Sequence, residues 1–353
     1  MCAHNYFVCN PCDQVTNQLK SIPPKRTISS RQEAERLVGL FTRNIEEAMA
    51  TKTTDMKLWH RVERNFERFC RTIKKSCPQI PTQEKKADST HVAWGTIPVQ
   101  DKSTIPVQDK STISPIITHE KVGILIKQNR GRQMEGIIPY NAFRAIIKEY
   151  QSSWERPALQ CLEHVAEELL CHLNEEIKSI FGAYPSLAST VSTTTRLLHE
   201  RLLTETMNCL KQIIIPMETQ LPPFTWDTEN FNISRSKFRV THEKWFNENS
   251  GLLIRPADDS CEVMAMAYAY MKVSHTRFID TVPQLIDLLF LHGLTKELRK
   301  TLVEQLGLVD PNKKVDLDTL MVEDKYLKSK RDRLLAKQEC LLKSLEELER
   351  IDS

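Results

Sequence analysis

The sequence predicts an all-α protein, an elongated antiparallel bundle of long helices, and three observations carry that expectation. Apolar residues recur at steps of three and four over most of the 353 residues. Only nine glycines occur, and long stretches are rich in Leu, Glu, Lys, Arg and Gln, a composition that favours helix over sheet. Near the C-terminus Leu320, Leu327, Leu334, Leu341 and Leu348 stand seven residues apart, the repeat of a helix that packs along another helix.

Residues 12–22 read as the end of a helix closed by Pro23 and Pro24. A second helix begins after Ser29-Ser30, where Ser30 and Glu33 stand in capping-box spacing, and Leu37, Leu40, Phe41, Ile45 and Met49 form its apolar side. The pattern resumes with Leu58, Val62, Phe66, Phe69 and Ile73 and stops at Cys77-Pro78. Residues 78–118 differ in character. The eight residues Gly95–Lys102 are echoed at once by Ser103–Lys110, and proline in each copy blocks helix. Two copies are too few for a solenoid, so the segment reads as a disordered insertion.

Order returns at Val122–Ile126, and a polar, glycine-bounded turn runs from Arg130 to Gly136. A long helix is expected from Tyr140 to about Phe181, with a kink or break at Pro157, and another from about Ser186 to Met217. Residues 219–258 show no helical pattern and interleave Phe224, Trp226, Phe231, Phe238, Trp245 and Phe246 with Arg235, Lys237, Arg239, Lys244 and Arg255. A helix bent at Pro283 starts near Ser260, Gly293 and Gly307 punctuate the stretch beyond it, and a last helix covers about 317–351. Leu335, Leu342 and Leu345 widen its leucine seam.

Composition also excludes function classes. The net charge of +3 spreads over 49 basic and 46 acidic side chains, without the basic excess of a nucleic-acid binder. No run of about 18 apolar residues could span a membrane, and the N-terminus lacks the basic-then-apolar order of a secretory signal. The scattered cysteines read as reduced thiols of a cytoplasmic protein. Cys9 and Cys12, with His4 nearby, lack the further ligand that zinc needs. His164, His172, His199 and His275 stand alone on helical stretches, and no G-x-S-x-G occurs. No catalytic, cofactor-binding or metal-ligating set is therefore expected.

Two stretches resemble the dynamin superfamily, above all its myxovirus-resistance (Mx) and fungal Mx-like branches. The first runs from Arg130-Gly131-Arg132 to Gly136, then through Phe143–Lys148 to Trp154–Leu159, matching the family's R-G-R-x-x-x-G turn, F-x-x-I-(I/V)-x stretch and x-x-E-x-P-A segment. The second, Tyr268–Gln284, is similar to the core of the GTPase effector domain, with its signature Y-x-K-V-x-x-x-R-F-x-D-x-V-P. Leu320–Asp324 and Lys328–Arg333 resemble that domain's C-terminal helix. The resemblance implies an N-terminal segment over 1–30, a stalk or middle region over 31–218 interrupted by the insertion at 78–118, a loop at 219–258 where Mx proteins carry a mobile loop, and an effector domain over 259–353. No G-x-x-x-x-G-K-[ST] or D-x-x-G occurs, so the chain is not expected to hydrolyse GTP.

By resemblance, Arg130, Gly131, Arg132 and Gly136 belong to an oligomer interface. Arg277, Phe278 and Asp280 hold the effector helix to the stalk. Trp226, Arg235, Lys237, Arg239, Trp245 and Phe246 form a membrane- or target-contacting tip, although packing of those aromatics onto the bundle is an equal alternative. The C-terminal helix acts in relatives as a signalling helix that joins two helices flanking the GTPase domain. Without them, its leucine seam is expected to be exposed and to pair with a second copy or a full-length GTPase relative, or else to fold back on its own bundle. The expected function is a non-catalytic assembly and effector module, cytoplasmic or peripheral to membranes. The alternative is a fragment of a full-length dynamin-like GTPase.

Overall fold

A computed structural model of the chain describes residues 11–22, 26–50, 57–77, 119–132, 139–249, 258–308 and 315–352. The expected tandem-repeat insertion, the Cys9/His4 pair and Gly136 lie outside them. The described elements are helices: α1 Pro11–Lys20, α2 Ser30–Met49, α3 Lys57–Lys75, α4 His119–Asn129, α5 Tyr140–Gln151, α6 Glu155–Phe181, α7 Pro185–Cys209, α8 Ile215–Thr219, α9 Thr228–Asn249, α10 Asp258–Leu285, α11 His292–Gln305, α12 Leu317–Leu320 and α13 Lys325–Asp352. Two π-helical segments, Leu210–Ile214 and Ile286–Leu291, lie beside Pro216 and Pro283. Proline removes a ladder hydrogen bond, and a widened turn takes up the mismatch, at Pro283 where a bend was expected and at Pro216 where the helix was expected to end. None of these helices is long and apolar enough to cross a membrane.

Caps explain most ends. The capping box of α2 sits one residue earlier than expected: the Ser29 side chain accepts from the Gln32 backbone, and the Gln32 side chain answers to the Ser29 backbone. Glu33 is instead paired with Arg36 at 2.7 Å. The helix expected from Tyr140 to Phe181 is broken at 152–154, just ahead of Pro157, which falls in the first turn of α6, where its missing N–H goes unneeded. Gly307, at φ 64°, ends α11 in a turn where the Leu308 N–H returns to the Val303 carbonyl at 3.0 Å. The single C-terminal helix expected over 317–351 is two helices. Asp324 accepts from the Leu327 N–H at 3.0 Å and so starts α13 afresh, leaving Leu320 on α12.

Residues 219–258 require a larger correction. Instead of a loop throughout, Thr228–Asn249 is a helix of 22 residues, capped by Asp227, whose carboxylate accepts from the Asn230 N–H at 3.1 Å. The sequence pattern hides this helix because polar Arg235 and His242 share the inward face with Phe238, while apolar Ile233 and Val240 face solvent.

The helices divide into two compact units. The first comprises Met1–Leu58, Leu169–Arg201 and His292–Ser353. Here α2 packs on α11, burying Leu37, Val38, Phe41 and Ile45 together with Leu294, Leu298 and Leu302. Phe41 meets Phe181 edge-on at 5.7 Å, and α1 lies along α13. The second comprises Trp59–Glu168 and Leu202–Leu291. In it α10 takes α4, α5 and α9 as neighbours, and an aromatic core of Phe69, Trp154 and Phe278 fills the space beside α3. Full burial of side chains this size stabilises by roughly 1.5–3 kcal/mol each.

Candidate assembly and effector surfaces

In the second unit, α10 carries the effector-domain signature, and its residues face inward. Phe278 is 1% exposed, stacks on Trp154 at 5.0 Å and leans on Phe69 at 5.9 Å. The Trp154 indole N–H donates to Ser76 Oγ at 2.8 Å, so the ring is held by a stacked face and by its edge. One turn away a charge is buried. Glu218 on α8 is 6% exposed and accepts from Arg277 (2.9 Å to Oε2) and from Ser274 (2.6 Å). Gln151 extends the chain by donating to Ser274 at 2.9 Å. A buried carboxylate is tolerated only when paired and hydrogen-bonded, and here both conditions hold. The same pairing raises the Arg277 pKa above its usual value. Asp280, by contrast, is exposed.

The network continues to the surface. Tyr270 OH accepts from the Phe224 N–H at 3.3 Å, and Tyr140 OH donates to the Pro223 carbonyl at 2.9 Å. These contacts fasten the backbone of Pro223 and Phe224, yet Phe224 is 61% and Trp226 86% exposed. The two rings meet edge-to-face at 5.5 Å over a groove of about 660 Å³ that Lys272, Arg277 and Asp280 also line. Arg235 and Arg239 on α9 are both ion-paired with Glu262, and Lys237 is exposed. The side chains of Trp245 and Phe246 lie outside the described residues. Of the expected tip, the structure thus places Trp226 beside Phe224 on a fastened segment and sends Arg235 into an ion pair with Glu262.

At the turn after α4, Arg130 bridges to Asp259 at 2.7 Å, while Gly131 and Arg132 are exposed. Arg130 therefore ties α4 to the start of α10, a role that its position in the sequence does not disclose.

In the first unit, the C-terminal seam is not left bare. Leu334, with Leu341 beside it, packs against Val15, Leu19 and Ile22, and Gln338 donates to Thr16 Oγ1 at 3.3 Å. Of the two expectations for the seam, the fold-back on the same chain is the one seen at Leu334 and Leu341: Val15 and Leu19 of α1, with Ile22 just past its end, close over these leucines. Leu327 is half-buried, and the Leu348 side chain lies outside the described residues. Leu335 (48% exposed) and Leu342 (50%) remain open on α13. The start of α13 is pinned by the Arg331–Glu323 ion pair and by the Asp324 N–H donating to the Ala183 carbonyl at 2.9 Å.

Among the described residues, no three His, Cys, Asp or Glu side chains are grouped so as to hold a metal ion. Burial pushes the Cys77 and Cys161 thiols up to about 12, which suits packed thiols.

Comparison with known proteins agrees with the geometry. Residues 102–225 match the dynamin central region, and residues 258–351 match the dynamin GTPase effector domain. The interferon-induced GTP-binding protein MxB of Danio rerio is 24% identical over 223 residues, which is 61% of this chain and 34% of that protein. Mx1 of Ictalurus punctatus is 22% identical over 228 residues, again 61% of this chain and 34% of the relative. Mx2 of Sus scrofa is 23% identical over 202 residues, 54% of this chain and 27% of the relative. The chain spans about a third of the length of the curated relatives it matches. Its described elements, all of them helices, fall largely within the segments that match a dynamin central region and a GTPase effector domain.

Proposed function

We propose that this chain, which belongs to the dynamin superfamily by its central region and effector domain, works as a non-catalytic assembly module of an Mx-like GTPase system. It binds copies of itself or a full-length GTPase of the family and modulates that partner in trans. The observation that carries the reading is the occurrence of both family segments, in family order, on one chain. Leu335 and Leu342 support it, being apolar side chains still open on α13 after α1 has taken its share. The exposed Gly131-Arg132 turn is a second contact, and the fastened Phe224/Trp226 edge with Lys237 is a site of peripheral membrane or target contact in the cytoplasm.

Light scattering after gel filtration, over a wide concentration range, tests assembly. Mass that grows with concentration is the expected result, and a monomer throughout overturns self-association. Adding the chain to a full-length Mx-type GTPase and monitoring GTP hydrolysis tests the second half; an unchanged rate at all ratios refutes modulation.

A second reading is favoured by the coverage of the relatives, about a third of their length. In it, the chain is the assembly end of a longer GTP-binding and membrane-remodelling protein. Immunoblotting of native material discriminates the two: a species near 40.9 kDa supports the module, and a markedly larger species supports the longer protein.

A further inference from the structure

The second unit holds a cluster of titratable and nucleophilic side chains that no role above uses: His119 at the start of α4, His242 on α9 and Cys261 in the first turn of α10. His119 Nε2 lies 2.8 Å from His242 Nε2, and His242 Nδ1 lies 3.5 Å from Cys261 Sγ. His242 is 4% exposed and stacks on Phe238 at 5.6 Å and 14°, so its ring is held in this orientation.

Ring nitrogens this close require one to donate and the other to accept. Burial and the neighbouring ring hold His119 down to about 4, and burial lowers His242, so both rings are neutral at pH 7. Two proton arrangements satisfy the chain. In the first, His119 Nε2–H donates to His242 Nε2, and His242 carries its proton on Nδ1, donating to Cys261. In the second, the thiol donates to His242 Nδ1, His242 donates onward, and His119 must carry its proton on Nδ1. That Nδ1 is buried and has no hydrogen-bond partner. The second arrangement strands a buried N–H donor, which is rarer in proteins than an unused acceptor. The first is favoured, and in it the sulfur accepts.

Accepting a hydrogen bond stabilises the thiolate, and the N-terminal end of a 28-residue helix acts in the same direction. Two neighbouring carboxylates are already paired, Asp259 with Arg130 and Glu262 with Arg235 and Arg239. Cys261 is also partly exposed, so a small reagent can reach it.

We propose that Cys261 is a reactive thiol, a modification site for soft electrophiles and peroxide, with His242 as the donor to its sulfur and His119 as the residue that fixes the His242 tautomer. With hydrogen peroxide the thiolate attacks one oxygen, the S–O bond forms and the O–O bond breaks. The departing hydroxide takes up the proton released by the thiol, which leaves a sulfenic acid and water. Any adduct on the sulfur removes the acceptor of His242, one of several ties between α9 and α10 beside the Arg235–Glu262 pair.

The test is iodoacetamide alkylation of the full chain at pH 7, measured cysteine by cysteine by mass spectrometry. Cys171 and Cys340 are exposed and serve as internal references. Cys261 is expected to label at least about tenfold faster than either, despite its lesser exposure. A Cys261 rate no faster than the references overturns the proposal and needs no variant. His242→Phe, which keeps the stack on Phe238, is expected to bring Cys261 to the reference rate or below; an unchanged rate in a folded variant refutes the role of His242. Brief peroxide treatment with dimedone trapping should place the sulfenic acid on Cys261 ahead of Cys171 and Cys340, and trapping confined to those two would likewise refute the site.

Discussion

Helices α10 and α13 are equally long, at 28 residues each, and are buried to very different extents. Around α10 stand α4, α5 and α9, and its buried residues include Val263, Met264, Tyr268, Tyr270, Met271, Phe278 and Val282. Along α13 lies chiefly α1, and only Arg331 and Leu334 reach full burial among its described side chains. The difference separates two uses of one helix length. A helix covered on several sides spends its motif residues on holding the chain together, so Arg277 and Phe278 are parts of the fold. A helix covered on one side keeps surface for another molecule.

The largest test of that contrast is truncation at matched positions. Phe278→Ala removes a ring stacked on Trp154 and should cost about 3–5 kcal/mol in urea unfolding. Leu334→Ala, with one helix able to settle into the space, should cost about 1–2 kcal/mol. Equal losses would break the comparison. Next in size is Arg277→Ala, which leaves the Glu218 carboxylate buried with Ser274 as its remaining donor and should cost about 2 kcal/mol. In the double variant with Glu218→Ala the losses should fall short of additive, because the two side chains act as one unit.

Much of the first region was legible in the sequence. The spacing of Val263, Ala267, Tyr270, Met271, Phe278 and Val282 disclosed both helix and buried face, since aliphatic and aromatic residues occupy it. The boundaries were less legible: Asp324 starts α13 with a single carboxylate, set within a continuous helical pattern that masks it. Helix α9 was illegible for a definite reason. Its inward face is built from Arg235, Phe238 and His242, whose burial depends on Glu262, Tyr268 and His119 arriving from other helices. No local pattern carries information about partners so distant in sequence. The cover that α1 gives the leucine seam was hidden in the same way, because Val15, Leu19 and Ile22 declare a helical face but not its occupant.

Acid should weaken the second unit through its buried histidines. His119, His242 and His275 all lie in the second unit, and burial holds each below the usual histidine value. The unfolded chain then binds more protons than the folded one as pH falls through 6.5 towards the value near 4 of His119. Stability is fully present above that window and declines within it. After allowance for solvent screening at the part-exposed His119 ring, the loss from this residue is on the order of 1 kcal/mol. His119→Phe should flatten the dependence between pH 6.5 and 4, as read by the thermal midpoint; a slope as steep as in the parent chain would assign the acid response to other groups.

The smallest effect on folding should accompany the clearest effect on association. Leu335 and Leu342 are half exposed, so Leu335→Glu with Leu342→Glu removes little buried area and should change stability by about 0.5 kcal/mol or less. If the open side of α13 is where another molecule binds, the same pair should abolish any concentration-dependent growth in mass, since two carboxylates would have to be desolvated on contact. Leu334→Glu provides the reverse: it strikes the side that α1 covers, so it should separate α1 from α13 and destabilise the first unit, whatever its effect on association. Light scattering and urea unfolding on the same samples distinguish the two sides. Loss of association without loss of stability assigns the open leucines to contact between molecules. Loss of both from Leu335→Glu and Leu342→Glu would mean that these leucines are part of the fold, and that α13 resembles α10 more than its exposure suggests.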